Sequence, residues 1–146
     1  MAYNLFLDTN IIIDFLDPRR PFHRESNVLF KMLEERRFKA FYSESVVTTT
    51  AYVIRKDFSK RDISEIIGHL NKRITLLTCS AEYIKNVAVM LPPDFEDALL
   101  YEIAMHHQMD YFITSNIKDF KSIQKNILPV MTARDFNKLL PASELE

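Results

Sequence analysis

Residues 3–14 read YNLFLDTNIIID, and the fold is decided at their middle. Leu5-Phe6-Leu7 is an apolar run too short for a helix and bounded by polar residues, so Tyr3 to Leu7 reads as a first, buried strand. It breaks off at Asp8-Thr9-Asn10, and Ile11 to Leu16 continues as a short helix ending near Pro18. Asp8 is thus set where a strand ends and a helix begins. In parallel α/β sheets this is where ligands bind, beyond the carboxyl ends of the strands and at a topological switch point.

The same punctuation recurs along the chain. Phe22 to Arg36 carries Phe22, Leu29 and Leu33 at helical spacing. Phe38 to Tyr42 reads as a second strand, and Ser43 or Ser45 caps the helix VVTTTAYVIRK. Its β-branched residues favour a strand locally, but a parallel sheet requires a crossover there. Ser59 and Asp62 have capping-box spacing ahead of ISEIIGHLNKR. Ile74 to Thr78 is a third strand, and Ser80 caps a helix through about Met90. Asp94 to His107 is the next helix, Asp110 to Thr114 the fourth strand and LPVMT a short fifth. Thr132 with Asp135 starts a closing helix. Alternation of this kind predicts a parallel sheet covered on both faces.

With 146 residues and no repeat or Ser/Pro linker, the chain is expected to form one domain spanning 1–146. A net charge of −1 supplies no global basic field, so a nucleic-acid partner would be held by local pairs such as Arg55-Lys56. Gly68 is the only glycine, which excludes a P-loop, a dinucleotide fingerprint and a G-x-S-x-G elbow. Cys79 is the only cysteine, which excludes an intrachain disulfide and a multi-cysteine zinc site; it is expected to be a half-buried structural thiol. With no signal segment and no apolar stretch of about 18 residues, a cytoplasmic protein without membrane contact is expected.

Three stretches carry carboxylates or amides to strand ends or a helix start. Asp8 and Asn10 follow the first strand; Asp94, Glu96 and Asp97 open the helix of PPDFEDALLYEIA; Asn116 and Asp119 follow the fourth strand in TSNIKDF. Each alone is explained by helix capping or by the macrodipole. Together they make an oxygen-only set suited to Mg²⁺ or Mn²⁺, and two such ions could activate a water and stabilise the leaving oxygen of a phosphodiester. His106-His107 lie about 14 Å beyond Asp97 along the helix and are not expected in the same pocket. Thr114 and Ser115 serve equally as phosphate contacts or as turn residues, and Tyr52 as a stacking ring or a core aromatic.

FLDTNIIID, DFEDALLYEIA and DYFITSNIKDF, in this order and followed by TARDFNKLL, resemble the PIN domain. The resemblance covers nearly the whole chain. It implies a three-layer α/β/α sandwich around a central parallel sheet of about five strands. It also implies an Mg²⁺- or Mn²⁺-dependent endoribonuclease acting on single-stranded or structured RNA, many relatives being toxins of toxin–antitoxin pairs similar to VapC. An antitoxin protein and a homodimer are the further partners it implies.

Carried over by position, the family's first acid falls on Asp8, supported by Asn10, and its third on Asp97. Its second falls on Thr49 or a neighbouring threonine, Glu44 lying more than a helical turn upstream. Its fourth falls on Asn116, with Asp119 close by and Glu96 beside Asp97. Asp8, Asp97, Asn116 and Asp119 are therefore the expected metal-binding and catalytic set, with Asn10, Thr49, Glu96, Thr114 and Ser115 supporting it or contacting phosphate. Losing carboxylates at two positions lowers the charge offered to a cation. This leaves a second reading open, a catalytically weakened or inactive module that binds RNA or protein. Hydrolysis of a small phosphate ester is a third.

Overall fold

The computed structural model describes residues 2–140. Five parallel strands form its sheet: β1 (Asn4–Leu7), β2 (Lys39–Ser43), β3 (Ile74–Leu77), β4 (Tyr111–Ile113) and β5 (Val130–Met131), in the order β3-β2-β1-β4-β5. Seven helices connect and flank them: α1 (Thr9–Leu16), α2 (His23–Glu34), α3 (Glu44–Ile54), α4 (Lys60–Arg73), α5 (Ala81–Met90), α6 (Phe95–His106) and α7 (Ala133–Leu139). A 3₁₀ turn, Ile117–Phe120, lies between β4 and β5. This is the α/β/α arrangement expected. None of the described helices is long and apolar enough to cross a membrane.

The order places β1 at the centre, between β2 and β4. From β1 the chain steps outward through β2 to β3, then returns through α5 and α6 to the other side of β1. The crevice between the ends of β1 and β4 is therefore the switch point of the sheet. Leu5, Phe6 and Leu7 are fully buried, as an interior parallel strand covered on both faces requires. The Phe6 and Phe112 rings stack at 5.2 Å, and Phe112 meets Phe120 at 4.7 Å. Burial of Phe120 pins the 3₁₀ turn to the core and thereby fixes Asp119 near the end of β4.

Helix α3 forms as expected despite its Val and Thr content. Val46, Thr50 and Ile54 recur at four-residue spacing and are buried, so packing on one face overrides local propensity. Helix α1 begins at Thr9 rather than Ile11, because the Asp8 side chain caps it by accepting the Thr9 N–H. Ser59, Ser80, Asp94 and Thr132 cap α4, α5, α6 and α7, each side chain accepting the N–H three residues on. With so few glycines, Arg36, Leu91 and Gln108 take the left-handed backbone conformation at or just after helix ends. Cys79 departs from expectation: it is exposed, in the loop between β3 and α5.

Candidate functional site

Asp8 is buried at the C-terminal end of β1, 5% exposed. One carboxylate oxygen accepts the Thr9 N–H at 2.8 Å; the other accepts the Thr114 hydroxyl at 2.8 Å and the Asn10 amide at 3.2 Å. The side chains of Asp8, Asn10 and Thr114 stitch the end of β1 to the end of β4. Asn10 completes the link by donating to Thr114 Oγ1 and accepting the Ser115 N–H at 2.9 Å. Despite three donors, burial pushes Asp8 up to about 6, with a further contribution from the Glu96 charge.

Asp97 reaches the crevice from the first turn of α6. Asp94 caps that helix by accepting the Asp97 N–H at 2.9 Å, and Ala98, Tyr101 and Ile103 anchor it in the core. Tyr101 locks the far side, its hydroxyl donating to the Leu128 carbonyl at 2.6 Å. Burial, then the charges of Asp8, Asp94, Asp119 and Glu96, push Asp97 up to about 7. Asp8, Glu96, Asp97 and Asp119 thus share one negative field although they come from three separate stretches of chain.

Asn116 is exposed beside this field, held by its N–H to Thr114 Oγ1, and the Asp119 N–H returns to the Asn116 carbonyl. Thr49 lies on the opposite rim, where its hydroxyl reaches Glu96 at 3.5 Å. Glu44, at the start of α3, is exposed. Thr114 and Ser115, considered as phosphate contacts, have their hydroxyls occupied by aspartates: Thr114 by Asp8 and Ser115 by Asp14 at 2.6 Å. Both act as supports. His106 is taken up by Glu102 at 2.8 Å and His107 by the Thr78 carbonyl, away from the crevice. Tyr52 is not in the core; its ring is exposed with the Arg55 guanidinium 3.7 Å above it.

Asp14 is not among the acids singled out in the sequence, yet the fold gives it a role. It is 1% exposed, and its carboxylate takes Arg20 Nε at 2.6 Å on one oxygen and the Ser115 hydroxyl on the other. It therefore holds the loop that carries Asn116 down onto α1. The available signal was the run IIID itself, a charge closing an apolar stretch of a short helix.

Among the described residues no three His, Cys, Asp or Glu side chains converge into a ready-made metal cage. The chemistry of the set nonetheless fits a hard cation. The charges raising Asp97 are all carboxylates, and a bound divalent ion would neutralise that repulsion. Two carboxylates with water completing the shell is the manner in which Mg²⁺ is ordinarily held.

A family model described as PIN domain matches residues 4–118. Ribonuclease VapC1 of Aquifex aeolicus (strain VF5) is 30% identical over 136 residues, covering 90% of this chain and 92% of that protein. Among solved structures, VapBC2 from Rickettsia felis bound to a DNA fragment from its promoter is similar at 20% identity. It has a TM-score of 0.66 and covers 88% of this chain and 98% of that one. A toxin–antitoxin complex from Klebsiella pneumoniae is similar at 22% identity and a TM-score of 0.62, over 88% and 97% of the two chains. At such identities the structures speak for the fold, but the family match spans residues 4–118, most of the chain, and this chain belongs to the PIN domain family.

Proposed function

We propose that this chain is a PIN-type endoribonuclease that acts as the toxin of a toxin–antitoxin pair. The carrying observation is the negative field that Asp8, Glu96 and Asp119 exert on Asp97 at the switch point of the sheet, where burial and repulsion push Asp97 up to about 7. The relatedness to a protein named ribonuclease VapC1, and the likeness in fold to toxin–antitoxin complexes, support both halves of the reading.

Asp8 and Asp97 would hold the cation, with Asn116 and Asp119 at the outer rim of its shell. When bound, a divalent cation such as Mg²⁺ or Mn²⁺ supplies Lewis-acid activation of water and of the scissile phosphodiester. The chain's own residues do the rest. Thr9, Asn10 and Thr114 fix the Asp8 oxygens, so little reorganisation accompanies binding. Glu96, steadied by Thr49, supplies an exposed carboxylate beside Asp97 that can orient water or take a proton. On α3, Tyr52 offers an exposed ring, and Arg55 and Lys56 offer cations for the RNA backbone; such contacts position the strand without reading its sequence. An RNA substrate puts the site of action in the cytoplasm. Exposed Ile84, Val89 and Leu91, on and just after α5, offer a surface on which two copies can pair.

The alternative, a module that binds RNA or protein without cutting, draws on Thr49 standing where the family carries an acid and on the absence of a three-acid cage among the described residues. A labelled single-stranded RNA pool incubated with Mn²⁺, Mg²⁺ or EDTA separates the two. Metal-dependent cleavage that Asp97→Asn lowers at least 100-fold, with folding intact, supports the nuclease. Equal cleavage by the variant sinks the assignment of Asp97, and no cleavage by folded wild type favours the binding module.

A further inference from the structure

A second cleft of about 370 Å³ opens beside the acidic site, within the range that small-molecule sites occupy. Ile11 and Ser115, each next in sequence to a residue that holds Asp8, form one wall; Phe22 and Glu25 of the α2 start line another side; Arg134 and Lys138 of α7 line a third. Ser115 follows Thr114, whose hydroxyl holds Asp8, so the cleft and the proposed cleavage centre are built on adjacent residues of one loop.

The Ser115 hydroxyl is taken by Asp14 and that of Thr132 by the Asp135 N–H, but two polar groups of the wall are unspent. Ser26 in the wall is fully buried, and its hydroxyl has no hydrogen-bond partner among the described residues. One Glu25 carboxylate oxygen is equally out of water and unpartnered. Leaving buried acceptors and donors unmatched is unfavourable, and a ligand carrying the complementary groups relieves it. Phe22 presents a half-exposed ring at the mouth, and Arg134 and Lys138 are exposed cations. An aromatic face, a buried acceptor pair and rim cations are the components by which proteins take up an unstacked nucleobase and its phosphate.

We propose that this cleft is a nucleobase subsite that takes an unpaired guanine adjoining the scissile phosphate, its ring on Phe22 and its Watson–Crick edge on Glu25. A carboxylate accepts and cannot donate, so it matches the two adjacent N–H donors, N1 and N2, which guanine alone among the four RNA bases presents. Ser26 adds a hydroxyl at the same edge, and Arg134 and Lys138 meet the flanking phosphate. The inference rests on the ribonuclease reading and names its substrate preference.

The test is fluorescence anisotropy of 5′-labelled RNA tetramers in EDTA, so that binding is read without cleavage. Tetramers of uridine carrying one guanosine are compared with counterparts carrying inosine, which lacks the N2 amino group. Wild type is expected to favour guanosine over inosine roughly tenfold, within the range of one bidentate base contact. Glu25→Gln is expected to erase that preference and Phe22→Ala to weaken both tetramers alike, each at unchanged thermal stability. Equal binding of the two tetramers, a preference that survives Glu25→Gln, or no binding at all would overturn the subsite. Cleavage assayed in parallel keeps the two readings apart. Metal-dependent cutting with no guanosine preference removes the subsite and leaves the nuclease; guanosine-selective binding without cutting does the reverse.

Discussion

Asp8→Asn should stabilise the metal-free protein, and by an amount that depends on pH. Burial pushes the Asp8 carboxyl up to about 6 from its ordinary 3.8. The native state thus holds this proton more tightly than the unfolded chain does. Between those two values it binds more protons than the unfolded state, and stability falls as pH rises. The full penalty is about 3 kcal/mol, of which about 2 kcal/mol develops between pH 4.5 and 7.5. Asparagine carries no charge at either pH and keeps one oxygen for the Thr9 N–H. Its amide group, however, faces the Asn10 amide that Asp8 Oδ2 now accepts, a pH-independent loss of about 1 kcal/mol. The variant is therefore expected to be near neutral at pH 4.5 and about 2 kcal/mol more stable than wild type at pH 7.5. Relief of Asp97, which Asp8 repels, acts in the same direction. Urea unfolding in EDTA at the two pH values, followed by circular dichroism, reads this as a gain of about 1 M in midpoint at pH 7.5. A stability difference that is the same at both pH values would refute the reasoning, since only ionisation of a buried carboxylate makes it vary.

Because Asp97 sits near 7, binding of Mg²⁺ at pH 6.5 is expected to expel about one proton and at pH 8.5 almost none; calorimetry in buffers of differing ionisation enthalpy measures this, and equal release at both pH values counts against Asp97 as a ligand. Asp14→Ala strands the Arg20 guanidinium and the Ser115 hydroxyl. It is expected to cost about 3 kcal/mol by chemical denaturation, and a loss below 1 kcal/mol would show that the network contributes little. Gly68 is exposed in α4 with nothing within 4 Å of where a Cβ would stand; Gly68→Ala is expected to stabilise by about 0.5–1 kcal/mol, read from a higher melting temperature.

The order of strands and helices is legible in the chain alone, because each is written in short-range patterns: apolar runs of four or five residues, helical spacing, and a Ser, Thr or Asp set before nearly every helix. Which stretches bear the acids is legible there too, since a carboxylate just past a buried strand is visible without knowing what lies opposite. How those acids are held was decided by the tertiary structure alone. Asp8 is fixed by Thr114, 106 residues away, and Asp14 by Ser115, 101 residues away. Parallel pairing of β1 with β4 creates those contacts, and a period within one segment carries no information about its partner. The same holds for the hydroxyls of Thr114 and Ser115, which the sequence offers equally to a phosphate or a turn and the fold commits to aspartates. The cleft between α2, α7 and the Ser115 loop belongs to this class too. Its walls come from three separated stretches, and burial of Ser26 without a partner arises only when they close on one another.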